Sequence, residues 1–173
     1  MSLVKVARKL YVILQPHGVL IGGICGAMHG VERFTRDVDM ATDLSAAKVV
    51  SLLKKAGIAA EIRHGDATDA LSWVVKGACD DVEFQILPAG DVGVNLDNAL
   101  LRVELGIAPE KDFITSKCIA GGQQDLHDVA ALVLLNEALR AFAIDQAERH
   151  GCMDKLDAWL SDERLLARYG AKT

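Results

Sequence analysis

Two aspartates interrupt a run that otherwise reads as a β-strand, and both fall on one side of it. Over residues 36–41, Val38 and Met40 alternate with Asp37 and Asp39. Period-two alternation puts the apolar pair on one face and both carboxylates on the other. Aspartate is a poor strand former, so two in one short strand need a reason. At about 3.3 Å rise per residue the two carboxylates start roughly 6–7 Å apart. That spacing lets them converge on one or two Mg²⁺ ions, which sit about 3.5–4 Å apart in two-metal sites. Upstream, Val19-Leu20-Ile21 reads as a short apolar strand opening into Gly22-Gly23, and thirteen residues lie between Gly23 and Asp37. Glycines allow backbone N–H groups to come close to a phosphate, aided by the start of the following helix. Together the two features point to chemistry on a nucleoside triphosphate.

The surrounding pattern alternates strands and helices. Leu3, Val6, Leu10, Ile13 and Leu14 recur at helical spacing over residues 3–15, and Pro16 and Gly18 end that helix. Residues 24–30 read as a small-residue helix stopped by Gly30, with Gly26 and Ala27 letting it lie close against the sheet. Ser45 suits an N-cap, and Gly57 the stop after Lys55 or Ala56. Strands are expected over residues 59–63, 71–76 and 82–87. Residues 91–108 fit helix and strand equally. From Pro109 onward the pattern is helical: one segment broken by Gly121-Gly122, one capped by Asp125, then 137–149 and 153–168 on either side of Gly151. The expected class is α/β or α+β, with a sheet core over 1–108 and a helical portion over 109–173 packed on it, in one domain or two.

Other residues join the acid pair as candidates. Arg33 could hold a phosphate with its planar fork, whereas Arg36 suits the surface. Thr35 could orient a neighbouring acid. Glu83, on a later strand with Asp81 and Gln85 on its face, could supply a third carboxylate as metal ligand or general base, with Asp81 as its substitute. Lys117 could reach triphosphate oxygens. Asp125 reads as a helix cap, and Asp128 as a salt-bridge support for Lys117 or Arg33. His29 reads as a packed or solvated residue rather than a base. The remaining histidines do not cluster with cysteine, so no zinc site is expected.

Composition removes several function classes. Half of the 173 residues are hydrophobic, enough to build a core, and the net charge of −5 argues against gripping a long nucleic acid through its phosphates. Cys25, Cys79, Cys118 and Cys152 form no CxxC pair and are expected as reduced, buried thiols. The apolar run from Leu10 to Leu14 is too short for a signal peptide, and no stretch reaches membrane-spanning length. A soluble cytoplasmic protein with no membrane partner is the expectation.

The run from Gly22 to Asp39 resembles the nucleotidyltransferase-fold superfamily, most closely its small bacterial AbiEii-type and minimal nucleotidyltransferases. Those carry a Gly-Gly turn, a small-residue helix and an Arg-x-Thr-x-Asp-x-Asp signature, matched here by Arg33, Thr35, Asp37 and Asp39. Lys117-Cys118-Ile119-Ala120-Gly121 and Asp125-Leu126-His127-Asp128-Val129 are similar to that group's helical segment. The resemblance implies a small mixed sheet flanked by helices. It also implies Mg²⁺ (or Mn²⁺) on Asp37, Asp39 and Glu83, and a triphosphate facing Gly22, Gly23, Arg33, Thr35 and Lys117. The implied reaction moves a nucleoside monophosphate from an NTP to an acceptor hydroxyl on a small molecule, a protein or an RNA end, with release of pyrophosphate. Two positions depart from the commoner pattern: Gly23 stands where many members have serine, and Glu83 where aspartate is commoner. The alternative is a catalytically degenerate nucleotide-binding, toxin–antitoxin or regulatory module; self-association and a protein partner are open in both readings.

Overall fold

In the computed structural model, which describes residues 2–66, 69–102 and 104–170, seven strands form one mixed sheet. They are β1 (Gly18–Leu20), β2 (Asp37–Thr42), β3 (Ala60–His64), β4 (Trp73–Cys79), β5 (Val82–Pro88), β6 (Leu100–Arg102) and β7 (Leu105–Ile107), in the order β3-β4-β5-β2-β1-β7-β6. β2 lies between β1, antiparallel to it, and β5, parallel to it. The β4–β5 hairpin turns through Asp80 and Asp81, both at positive φ, a conformation aspartate tolerates better than most residues. Asp81 therefore sits in the turn and does not share the strand face of Glu83.

Eight α-helices accompany the sheet among the described residues: α1 (Leu3–Leu14), α2 (Gly22–Met28), α3 (Ala46–Lys55), α4 (Glu110–Ala120), α5 (Gln123–Leu135), α6 (Arg140–Arg149), α7 (Met153–Leu160) and α8 (Glu163–Tyr169). The amphipathic α1 buries Val6, Ala7, Leu10 and Leu14. It lies on the face to which Met40 points: a Cβ at Gly18 would stand 2.8 Å from Leu14 Cβ and 3.6 Å from Met40 Cε. Ser45 caps α3 by accepting from the Lys48 N–H, and α3 packs on β3 and β4. α2 begins on the opposite face, beside Asp39. It lies close against β2, as expected, and Gly26 also receives an aromatic ring of α4, since a Cβ there would stand 3.1 Å from Phe113 Cζ.

The ambiguous stretch 91–108 resolves into a short 3-10 turn (Leu96–Asn98) followed by β6 and β7; Val103 within it lies outside the described residues. Two strands of three residues are too short to show a period. The last expected helix is two, because Ser161 ends α7 and Asp162 caps α8 by accepting from the Leu165 N–H at 2.9 Å. One buried cluster joins Ile24, Cys25 and Val31 to Phe113, Leu126 and Val129, so sheet and helical halves share a core. All four cysteines are buried and unpaired. Among the described residues no helix is long and apolar enough to cross a membrane.

Candidate active site

β2 presents Asp37 and Asp39 on the face opposite Val38 and Met40, which are fully buried. The glycine turn is tied to this strand by a hydrogen bond from the Ile21 N–H to the Asp39 carbonyl at 3.0 Å. Gly22, the first residue of α2, has φ +63°, and a Cβ on it would lie 2.1 Å from Asp39 Oδ2. A Cβ on Gly23 would lie 2.6 Å from both Cβ and Oγ1 of Thr35. The Thr35 hydroxyl in turn donates to Asp37 Oδ1 at 2.9 Å. The glycine pair was expected to give phosphates access. Its nearer consequence is to make room for Asp39 and for the threonine that holds Asp37.

Behind the acids lies an ionic cluster contributed by the helical half. Lys117, on α4, is only 7% exposed. Its Nζ donates to Asp125 Oδ1 at 2.7 Å and lies 3.1 Å from Asp128 Oδ2. Arg33 donates through Nη1 to the same Asp128 oxygen at 2.5 Å, and Gln124 donates to the other at 3.1 Å. The wholly buried Asp128 thus supports both cations. Burial alone would raise its pKa, but Lys117 and Arg33 outweigh burial and hold it below the usual carboxylate range. Asp125 does not cap α5 as expected. That helix begins at Gln123, two residues earlier, after the left-handed Gly121 and extended Gly122, which leaves Asp125 inside the first turn and free to pair with Lys117. The Nε of Arg33 is buried and makes no hydrogen bond.

The acids respond to these surroundings. Burial, and then the Asp37 charge beside it, push Asp39 up to about 6, against the pull of Lys117 and Arg33; Asp125 adds to the rise. Four carboxylates (Asp37, Asp39, Asp125, Asp128) therefore meet two cations (Arg33, Lys117), a surplus of negative charge in a partly desolvated place. Arg36 is exposed, its guanidinium 5.3 Å from the Phe34 ring centroid. His29 is packed, with Nε2 2.8 Å from the Ala108 carbonyl oxygen.

On the neighbouring strand, Glu83 is the register partner of Asp37, and Gln85 that of Asp39. Partners in a ladder share a face, with strands about 4.8 Å apart. Glu83 itself is exposed. Among the described residues no three His, Cys, Asp or Glu side chains gather as a metal cage. Mg²⁺ seldom needs one: it is commonly bound through one or two carboxylates plus substrate phosphates and water. Asp37 and Asp39, two hard oxygen donors in a region of excess negative charge, fit such an ion.

Comparison with solved structures identifies the architecture. An inferred nucleotidyltransferase from H. pylori superposes with a TM-score of 0.53 at 17% identity, over 97% of this chain and 85% of that one. The antibiotic-resistance factor ANT(2'')-Ia gives 0.52 at 10% identity, over 97% of both chains. The fold is that of the nucleotidyltransferases. No protein-family model matches the chain, and no curated protein matches it in sequence.

Sequence reasoning read Asp125 as a cap, whereas it joins Asp128 in the cluster behind the acids; Asp128 supports Lys117 and Arg33 as read. The pairing of both aspartates with Lys117 spans the α4–α5 turn, and the signal that could have shown it is the Gly121-Gly122 pair, which folds α5 back onto α4.

Proposed function

We propose that this chain is a metal-dependent nucleotidyltransferase that moves a nucleoside monophosphate from an NTP to an acceptor hydroxyl and releases pyrophosphate. One observation carries the reading: adjacent carboxylates on one face of β2, one held well above its ordinary pKa, backed by two buried-side cations that leave the site short of positive charge. Asp37 and Asp39 would hold Mg²⁺ or Mn²⁺, which when bound neutralises phosphate charge and favours the ionised form of a nearby hydroxyl. Thr35 keeps Asp37 turned into the site. Arg33 and Lys117 offer positive charge to the triphosphate oxygens, and the backbone of Gly22 and Gly23 faces the same phosphates. Glu83, beside Asp37 in the ladder, takes the proton of the attacking hydroxyl. The open sheet face over β3–β5 carries a shallow cavity of about 660 Å³ lined by Glu61, Lys76, Glu83 and Gln85, with room for an acceptor.

The test is label transfer from each NTP, with Mg²⁺ or Mn²⁺, to pools of hydroxyl-bearing small molecules, proteins and RNA ends. Asp37→Asn and Asp39→Asn should each abolish transfer and leave the melting curve cooperative; persistent labelling by the double variant overturns the site. The exposed Glu83, which with Asp37 and Asp39 forms no metal cage among the described residues, favours one second reading, nucleotide binding without turnover. Calorimetric binding of NTP with metal but no labelling of any acceptor would select it.

A further inference from the structure

The loop that carries Arg33 and Thr35 has little backbone support of its own. Residues 31–36 form no helix or strand, and among the described residues no backbone–backbone hydrogen bond involves residues 32–34. What Glu32 has instead is a single phenol. The Tyr169 hydroxyl accepts from the Glu32 N–H at 3.0 Å and donates to the Glu32 carbonyl at 3.2 Å. Both backbone groups of one loop residue are thus satisfied by one side chain, 137 residues away. Tyr169 is 8% exposed, at the end of α8, which packs on α5 and α7. Arg168 adds a pair to Glu32 Oε2 at 2.5 Å; both side chains are largely exposed, so it contributes little.

We propose that Tyr169 is a positioning residue of the candidate site: its hydroxyl fixes the Glu32 peptide groups and so sets the path of the loop that delivers Arg33 and Thr35. The role needs a tyrosine. Phenylalanine fills the same buried volume but leaves an N–H and a carbonyl without partners, and the backbone then turns to water for them. Asp128 grips the same loop through the Arg33 guanidinium, but a side-chain grip leaves the backbone free to swing. The two holds come from α5 and α8, so the helical half governs the loop from two directions. A displacement of about 1 Å at a positioning element can cost about 10²-fold in rate.

The inference rests on the nucleotidyltransferase reading only for its consequence, and the experiment separates the two. Hydrogen exchange of the full chain reads the loop directly. In Tyr169→Phe, exchange of the Glu32 N–H, the loop amide that donates to the phenol, should rise roughly tenfold, the factor matching loss of one net hydrogen bond. Leu156→Ala, which opens a cavity in α7, should lower the melting temperature without that local rise. Calorimetry with a nonhydrolysable NTP and Mg²⁺ then reads the consequence: Tyr169→Phe weakens affinity, and Leu156→Ala leaves it unchanged well below melting. Unchanged loop exchange in Tyr169→Phe, or the same rise in both variants, overturns the positioning role. Faster loop exchange with wild-type NTP affinity also overturns it, because the loop would then be loosened without consequence. If wild type binds no NTP, the nucleotidyltransferase reading fails, and the exchange result alone decides whether Tyr169 sets the loop.

Discussion

The Asp39 carboxylate occupies the volume that any side chain at position 22 would need. Gly22 has φ +63°, and its absent Cβ would meet Asp39 Oδ2 at 2.1 Å. Two effects therefore add in Gly22→Ala. The left-handed backbone costs an L-residue about 1–2 kcal/mol, and the new methyl drives Asp39 from its place beside Asp37. The expected outcome is a lower melting temperature together with loss of Mg²⁺-dependent nucleotide binding. Calorimetry on the folded variant checks it. Wild-type affinity in Gly22→Ala would show that Asp39 is free to stand elsewhere.

Gly23 and Thr35 stand in the same relation. A methyl at position 23 would fall 2.6 Å from Thr35 Cβ and Oγ1. The serine that many nucleotidyltransferases carry at this point would collide with the threonine that bonds Asp37. Introducing it should therefore impair this chain. Gly23→Ser is expected to weaken nucleotide binding and stability, and Thr35→Ala in the same molecule should recover part of the stability loss by opening the space. Thermal melts of the two single variants and the double give the coupling, which for contacting residues reaches about 0.5–3 kcal/mol. Strict additivity of the three melts would mean that the two positions do not share this space.

The strand that carries the acid pair was legible in the sequence because its period and its residue propensity conflict. Val38 and Met40 keep the apolar alternation of a buried strand while Asp37 and Asp39 break its propensity, and local repetition alone reports both. The glycine turn, the α1 stripe and the Ser45 cap are equally local. What lay beyond the sequence is nonlocal. β6 and β7 are three residues each, too short for a period, and β7 reaches the sheet by pairing its Ile107 with the distant Leu20 of β1, while β6 pairs with β7. The cluster of Arg33, Lys117 and Asp128 spans up to 95 residues. The salt bridge read for Asp128, to Lys117 or Arg33, forms with both; what the sequence does not carry is its burial, because these charges lose water only when the fold closes over them.

That removal makes Asp128 the most deeply buried charge among the described residues. It is fully buried and serves two cations, one of them 7% exposed. Removing it takes the carboxylate partner from Arg33 and leaves Lys117 with Asp125 alone, a loss expected at up to about 3–5 kcal/mol. Asp128→Asn should accordingly unfold at markedly lower denaturant. Pairing Asp128→Leu with Lys117→Met should be milder than Asp128→Asn, since it removes a buried charge of each sign and leaves Arg33 to reach solvent with its exposed edge. Urea melts decide between these orders. A double variant weaker than the single would mean that the ion pair, rather than its neutrality, supplies the stability.

Asp39 shows the opposite sign, stability given up for the site. Its carboxyl titrates near 6 in the fold against an ordinary value of 3.8. The native state therefore binds this proton more tightly than the unfolded chain does. Below about pH 4 both states are protonated and there is no penalty. The penalty grows as pH rises from about 4 to about 6 and is complete above that, on the order of 3 kcal/mol. Asp39→Asn cannot ionise and escapes it. In chelator at pH 7.5 the variant should melt higher than wild type, by about 6–12 °C for a chain of this size. The gap should shrink progressively on lowering the pH to 4. Adding Mg²⁺ with a nonhydrolysable NTP should raise wild type and leave Asp39→Asn unmoved, because only an ionised Asp39 can hold the ion. Differential scanning calorimetry across the pH range measures all three. An Asp39→Asn chain that melts at or below wild type in chelator at pH 7.5 would show that Asp39 is not strained by its burial and by Asp37.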